Sequence, residues 1–202
     1  DLRQKIREGV KKADAAAAGP GLGKNRELVM PVLLSLSGKK LLLDADALNY
    51  LAQEREADTV SLQFSETALT PHSGEMARLI GKERREVEND RFQALSDAVR
   101  IFRACCLLKG QNTLISDAEG TIYVNPTGNA GLGRAGSGDT LTGIAGAMLA
   151  QGMNAFEALY SAAWIHGRAG DLCREDFGIR SYLPEDVTAY LPRVFAELEG
   201  KE

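Results

Sequence analysis

Apolar residues along this chain come in short runs that stop at a polar or flexible residue. Ala13 to Ala18 ends at Gly19-Pro-Gly-Leu-Gly23, Leu41 to Leu43 at Asp44, Thr67 to Leu69 at Thr70, and Cys105 to Leu108 at Lys109. Runs of this length, bounded by turn formers, read as buried strands. Between them apolar positions recur at three- and four-residue steps. This holds over Arg26 to Ser37 and over Arg84 to Arg103, where Phe92, Leu95, Val99 and Phe102 mark one helical face. Alternating strands and helices predict an α/β fold: a mostly parallel sheet with helices on both faces. Thr113 to Asp117 and Thr121 to Asn125, joined through Ala118-Glu119-Gly120, predict an antiparallel hairpin at one sheet edge. A helix is expected to begin near Asp139, with Leu141, Ile144, Ala145, Met148 and Leu149 on its apolar face and Gly152 as its stop. A second is expected from about Ala155 to Arg174.

Composition narrows the picture. The 202 residues, 44% hydrophobic and 26% charged, suffice for one sizeable core and are read as a single domain. With 28 acidic against 24 basic residues the net charge is -4, so no general positive field draws a nucleic-acid backbone. The cysteines number three, and a bridge between the adjacent Cys105 and Cys106 would be strained, which fits a reducing, cytoplasmic setting. No apolar run approaches the ~20 residues that span a bilayer, and the first dozen residues lack the apolar core of a secretory signal. Nucleic acid and membrane are accordingly not expected as partners.

In an open parallel sheet, ligands gather beyond the carboxyl ends of the strands, so the polar strand ends are candidates for one shared site. The stretch Gly131-Leu-Gly-Arg-Ala-Gly-Ser-Gly-Asp139 offers two phosphate-loop readings. Its first six residues match G-x-G-x-x-G, but a dinucleotide fold needs a following strand ending in an acid about 20 residues on. Beyond Asp139 the chain offers two helices, and Glu157 stands near the right distance in a helical context. The second reading places Gly136, Ser137 and Gly138 at a helix N-terminus, where unpaired amides and the helix dipole attract an anion. Asp139 is then either a helix cap or a catalytic base.

Other residues carry two readings each. Gly19-Pro-Gly-Leu-Gly23 is a plain strand-to-helix turn or a place where Gly21 and Gly23 let a ligand approach the backbone. Asp44 and Asp46 suggest a magnesium pair, although two acids alone are weak grounds for a metal. His72, after Pro71, is an ordinary surface imidazole or a substrate contact, and His166, within an alanine-rich helix, is structural. Lys109-Gly110-Gln111-Asn112-Thr113 can turn amides, an ammonium and a hydroxyl toward a phosphate.

Six motifs in order resemble the NAD(P)H-hydrate dehydratases of the ribokinase-like superfamily. They are GPGLG at 19–23, LLLDADALN at 41–49, LTPHSGEMARL at 69–79, LLKGQNTLIS at 107–116, GSGDTLTGI at 136–144 and AAWIHGRAGD at 162–171. The resemblance implies a ribokinase-like three-layer fold with an antiparallel edge hairpin. It also implies a metabolite-repair lyase that returns hydrated NADH or NADPH (NADHX, NADPHX) to NAD(P)H, with ADP or ATP as co-substrate and Mg2+ accompanying it. By the same resemblance Gly21, Gly23, His72 and Asn49 contact the hydrated dinucleotide, with Asp46 near it, and DADALN shapes a strand-end loop. Lys109 to Thr113 with Gly136, Ser137 and Gly138 hold the adenine nucleotide, and Asp139 is the base.

Two departures stand out. Residues 132–135, where the family usually reads Met-Ala-Thr-Gly, are Leu-Gly-Arg-Ala here, so that Arg134 either binds phosphate or obstructs the loop. The chain starts barely a dozen residues before GPGLG, so part of the family's usual N-terminal segment is expected to be missing. The exposed sheet edge this would leave is expected to pair in a homo-oligomer. The rival functions are a ribokinase-like kinase for a vitamin-precursor alcohol and a nucleotide-binding module without turnover.

Overall fold

The computed structural model describes residues 2–23, 36, 39–56 and 66–201. Among them a sheet of six strands runs in sequence order: β1 (Ala15–Ala18), β2 (Lys40–Leu43), β3 (Thr67–Leu69), β4 (Cys105–Leu108), β5 (Leu114–Ser116) and β6 (Ile122–Val124). The first four are mutually parallel; β5 and β6 are antiparallel to their neighbours. The expected hairpin is β5 and β6, with Gly120 at φ 95° in its turn.

Period-two alternation along these strands builds a core on each face. Leu41, Leu43, Leu69, Cys106, Leu108 and Leu114 point to one side, packed by α2 (Ala45–Glu56), α3 (Ser73–Ile80) and α5 (Arg91–Phe102). Leu42, Ala68, Leu107 and Ile115 point to the other, packed by α6 (Ser137–Ala150), α7 (Ala155–Phe177) and α8 (Pro184–Leu198). Each fully buried leucine contributes about 1.5–3 kcal/mol, so the register is fixed from both sides. The remaining helices among the described residues are α1 (Leu2–Lys12) and the short α4 (Arg84–Asn89), with a 3-10 turn at Ala130–Leu132. Gly146 of α6 lies against Ala17 of β1, where a Cβ would come within 3.2 Å of the alanine methyl. No described helix is long and apolar enough to cross a membrane.

Several expected elements differ in their limits. The periodic stretch Arg84 to Arg103 is two helices, because Asp90 leaves the helical region (φ −140°, ψ 83°) and caps α5 by accepting from the Gln93 amide. The helix expected near Asp139 starts two residues earlier, with Gly136 at φ 90° as its N-cap. The DADALN segment, expected as a loop, enters α2 at once through Ala45 at φ 46°. The expected helix over Arg26 to Ser37 lies outside the described residues, except for Leu36.

Candidate active site

The residues that follow strands β1 to β4 and the start of α6 meet beyond the carboxyl ends of these parallel strands. Asp44, directly after β2, is buried to 1% exposure. Its Oδ1 faces the Lys109 ammonium, directly after β4, at 2.6 Å, and its Oδ2 accepts from Thr142 Oγ1 of α6 at 2.7 Å. Its own amide donates to the Ala18 carbonyl, and a Cβ on Gly19 would overlap the Asp44 carbonyl. Glycine is thus required there by close approach as well as by its φ of 143°. Thr70, after β3, donates to the Leu43 carbonyl at 3.3 Å, and the Lys109 amide donates to Pro71 O.

His72 is the N-cap of α3. Its Nδ1 accepts from the amides of Gly74 (2.9 Å) and Glu75 (3.2 Å), while its own amide donates to Glu75 Oε2, closing a capping box. That arrangement puts the ring proton on Nε2, 3.4 Å from Glu75 Oε1. The imidazole pKa is lowered, since burial of its inner side outweighs the attraction of Glu75, and Lys109 pushes the same way as burial. Glu75 Oε2 also lies 3.7 Å from the Lys109 ammonium, so this lysine is shared by two buried carboxylates.

The glycine loop covers that lysine. A Cβ on Gly138 would stand 3.5 Å from Lys109 Nζ and 3.9 Å from Asp44 Oδ2. In the first turn of α6 the Ser137 amide donates to Arg134 O and the Thr140 amide to Gly136 O. The amides of Gly138 and Asp139 have no acceptor among the described residues, and no side chain caps the helix. Asp139, at the third helical position, is exposed, and its carboxylate accepts no hydrogen bond among the described residues. Unpaired amides at a helix N-terminus, above a fixed ammonium and beside an open carboxylate, can hold a phosphoryl group and take a proton.

The other expected site residues divide into two groups. Ser137 is buried, with its hydroxyl 3.3 Å from Nε2 of His166, itself buried with its pKa pushed down to about 4 by burial. Those two side chains secure the loop from beneath. Gly110, Gln111 and Asn112 are exposed on the β4–β5 turn. The Arg91 guanidinium binds the carbonyls of Leu108 (3.1 Å) and Gln111 beneath them, and Thr113 Oγ1 is spent on Gly110 O. Gly21 and Gly23 are exposed at φ 72°, and the Gly23 amide donates to Asp46 Oδ2 at 2.9 Å. Asn49 Oδ1 accepts from Arg78 Nε at 2.7 Å. Asp46 therefore ties down the glycine turn and does not converge with Asp44. Arg134 turns away from the loop: it donates to the carbonyls of Tyr182 and Ile179 and lies 5.4 Å from the Tyr182 ring centre.

Glu75 and Thr142 are central to the polar cluster and were not singled out from the sequence. Both left a signal: Glu75 stands three residues after His72, the spacing of a capping box, and Thr142 stands four after Gly138, on the same helix face. Among the described residues no group of three or more His, Cys, Asp or Glu side chains is placed to hold a metal. The carboxylate pair Asp44 and Glu75 does not fit Mg2+ either. The Asp44 oxygens are engaged by Lys109 and Thr142, those of Glu75 by His72, and the ammonium lies between the two groups.

Comparison with known proteins brings consistent matches. A family model described as NAD(P)H-hydrate dehydratase matches residues 2–193. The ADP-dependent (S)-NAD(P)H-hydrate dehydratase of Neisseria meningitidis serogroup B is 43% identical over 173 residues, covering 84% of this chain and 58% of that protein. The bifunctional NAD(P)H-hydrate repair enzyme Nnr of Moorella thermoacetica is 38% identical over 201 residues, covering 98% of this chain and 38% of the relative. The chain thus spans under two thirds of the length of these relatives. Among solved structures, the ADP/ATP-dependent NAD(P)H-hydrate dehydratase of Bacillus subtilis co-crystallised with ATP/Mg2+ superimposes with a TM-score of 0.80 at 27% identity, over 95% of this chain and 71% of that one.

Proposed function

This chain belongs to the NAD(P)H-hydrate dehydratase family, and from that premise we propose that it restores NAD(P)H from its hydrates at the expense of ADP or ATP. The observation that carries the reading is the start of α6. There the amides of Gly138 and Asp139 have no acceptor among the described residues, and Asp139 is exposed within the same turn.

Hydroxide is a poor leaving group, and phosphorylation of the added hydroxyl removes that obstacle. Asp139 accepts the hydroxyl proton as the oxygen attacks the terminal phosphorus of the nucleotide, and the bond to the nucleotide's bridging oxygen breaks. The amides of Gly138 and Asp139 stabilise the charge on the transferred group, with the Lys109 ammonium beneath them. The phosphate then departs from the nicotinamide ring with its bonding electrons, and loss of a ring proton leaves the double bond of NAD(P)H. The turn 110–113, backed by Arg91, faces the adenine nucleotide in this proposal, and Gly21, Gly23, His72 and Asn49 face the hydrated dinucleotide. Mg2+ comes as the complex of the nucleotide phosphates, and the setting is cytoplasmic.

The test is incubation with hydrated NADH and either ADP or ATP, following the return of nicotinamide absorbance. Recovery should depend on the nucleotide. Asp139→Asn should lower the rate at least ~100-fold, the scale of a general base, while nucleotide affinity stays within a few-fold. A retained rate in that variant removes Asp139 from the base role, and a stable phosphorylated product in the wild type would mark a small-molecule kinase instead.

A further inference from the structure

The Lys109 ammonium sits where a bound cation would sit. It is 2.6 Å from Asp44 Oδ1 and 3.7 Å from Glu75 Oε2, on side chains that are 19%, 2% and 6% exposed respectively. Two nearly buried carboxylates facing one gap repel each other and call for a positive charge between them, since burial strips away the water that would screen them. Thr142 fixes the second Asp44 oxygen and the His72 amide fixes the near Glu75 oxygen, so neither carboxylate is free to turn toward another cation. The gap lies directly under Gly138, at the start of the helix whose Gly138 and Asp139 amides have no acceptor among the described residues.

We infer that Lys109 is a built-in counter-cation filling the Asp44–Glu75 gap, so that the folded chain holds no divalent metal there and Mg2+ enters and leaves only with the nucleotide. Asp44, Glu75 and Thr142 are positioning residues that hold the ammonium under the glycine loop. The inference rests on the proposed function in one respect, that a nucleotide phosphate arrives above this lysine. Its structural content is independent of turnover. Lysine is suited to the task because it is a compact point charge on a long apolar stem, which can reach between two acids from the end of a buried strand. Removing it would leave two fixed carboxylates at a spacing open to a hard cation.

The experiment is a Mn2+ titration of the purified chain, without nucleotide or dinucleotide, read by the loss of the free-ion paramagnetic resonance signal. The wild type is expected to bind no Mn2+ at this gap. Lys109→Met is expected to gain one Mn2+ with at least tenfold higher affinity, and the double variant Lys109→Met/Asp44→Asn to lose it again. Circular dichroism first establishes that each variant is folded. A folded Lys109→Met that gains no Mn2+ overturns the inference. So does a wild type that binds one Mn2+ and loses it on Glu75→Gln, a result that needs no lysine variant at all. Because the titration contains no substrate, its outcome stands apart from whether the chain proves to be a dehydratase.

Discussion

Lowering the pH should destabilise the whole fold through His166. This histidine is 7% exposed on α7, has Ser137 Oγ at 3.3 Å from its Nε2, and titrates at about 4 because burial disfavours the charged ring. In the unfolded chain it returns to about 6.5. The folded-state pKa is the lower one, so between these values the unfolded state binds the extra proton. The stability at stake is fully present above about 6.5 and is lost as the pH falls through about 4. The two values give a loss of about 2 kcal/mol between neutral pH and about pH 5, approaching 3 kcal/mol near pH 4. Urea unfolding of the wild type and of His166→Gln at neutral pH and at about pH 5 isolates this share. His72, Asp97 and Glu197, whose pKa values are also lowered, contribute equally to both proteins and cancel. The wild type should lose about 2 kcal/mol more than the variant over that interval. Equal losses in the two proteins, or a His166 ring proton that titrates near 6.5 by NMR in the folded chain, would refute the reasoning.

Gly138→Ala should fold as well as the wild type or up to about 1 kcal/mol better, because the new methyl meets only ordinary contacts and alanine favours the helix. Its nucleotide affinity should fall at least tenfold by calorimetry if phosphate lies on this turn; an unchanged affinity would place the phosphate elsewhere. Arg134→Ala should cost about 1–3 kcal/mol in thermal or urea unfolding, from two carbonyl bonds and the contact with the Tyr182 ring. It should change nucleotide affinity no more than about twofold, whereas a large loss of affinity at unchanged stability would put the guanidinium on the phosphate. Burial raises the thiols of Cys105 and Cys173 to about 11 and that of Cys106 further, so at mildly alkaline pH a disulfide reagent should label them slowly until denaturant is added. Fast labelling of the folded chain would contradict their placement.

Strands and their polar ends were readable because a run of leucine closed by Asp44 or Lys109 states both burial and direction. The hairpin was readable from Gly120, and α6 and α7 from their periodic apolar positions. What escaped the sequence were matters of one residue's company. Asp90 interrupts a helical pattern that would otherwise run through it, since a capping aspartate and a solvent-facing one look alike in one dimension. Lys109 looks like any lysine leaving a strand, and its partners lie 65 residues before it and 34 before it. Likewise Arg134 reads, by its neighbours along the chain, as a phosphate ligand or an obstruction of the loop, yet its carbonyl partners are more than forty residues away. Local pattern places the elements; which charged groups meet is settled only by how the elements pack.

The polar seam around Asp44 also sets an order of events during synthesis. Strands β1 to β4 stand side by side in the order in which they emerge, so each can dock on its predecessor as soon as it appears. Asp44 waits longer, because its ammonium partner follows 65 residues later and its hydroxyl partner 98 residues later. Until both have arrived, drying this carboxylate costs several kcal/mol with no return, and water is retained at that end of the growing sheet. Closure of the seam therefore coincides with arrival of α6, the first helix of the second layer. A nascent chain caught earlier carries the sheet with this carboxylate still hydrated and the polar seam unformed.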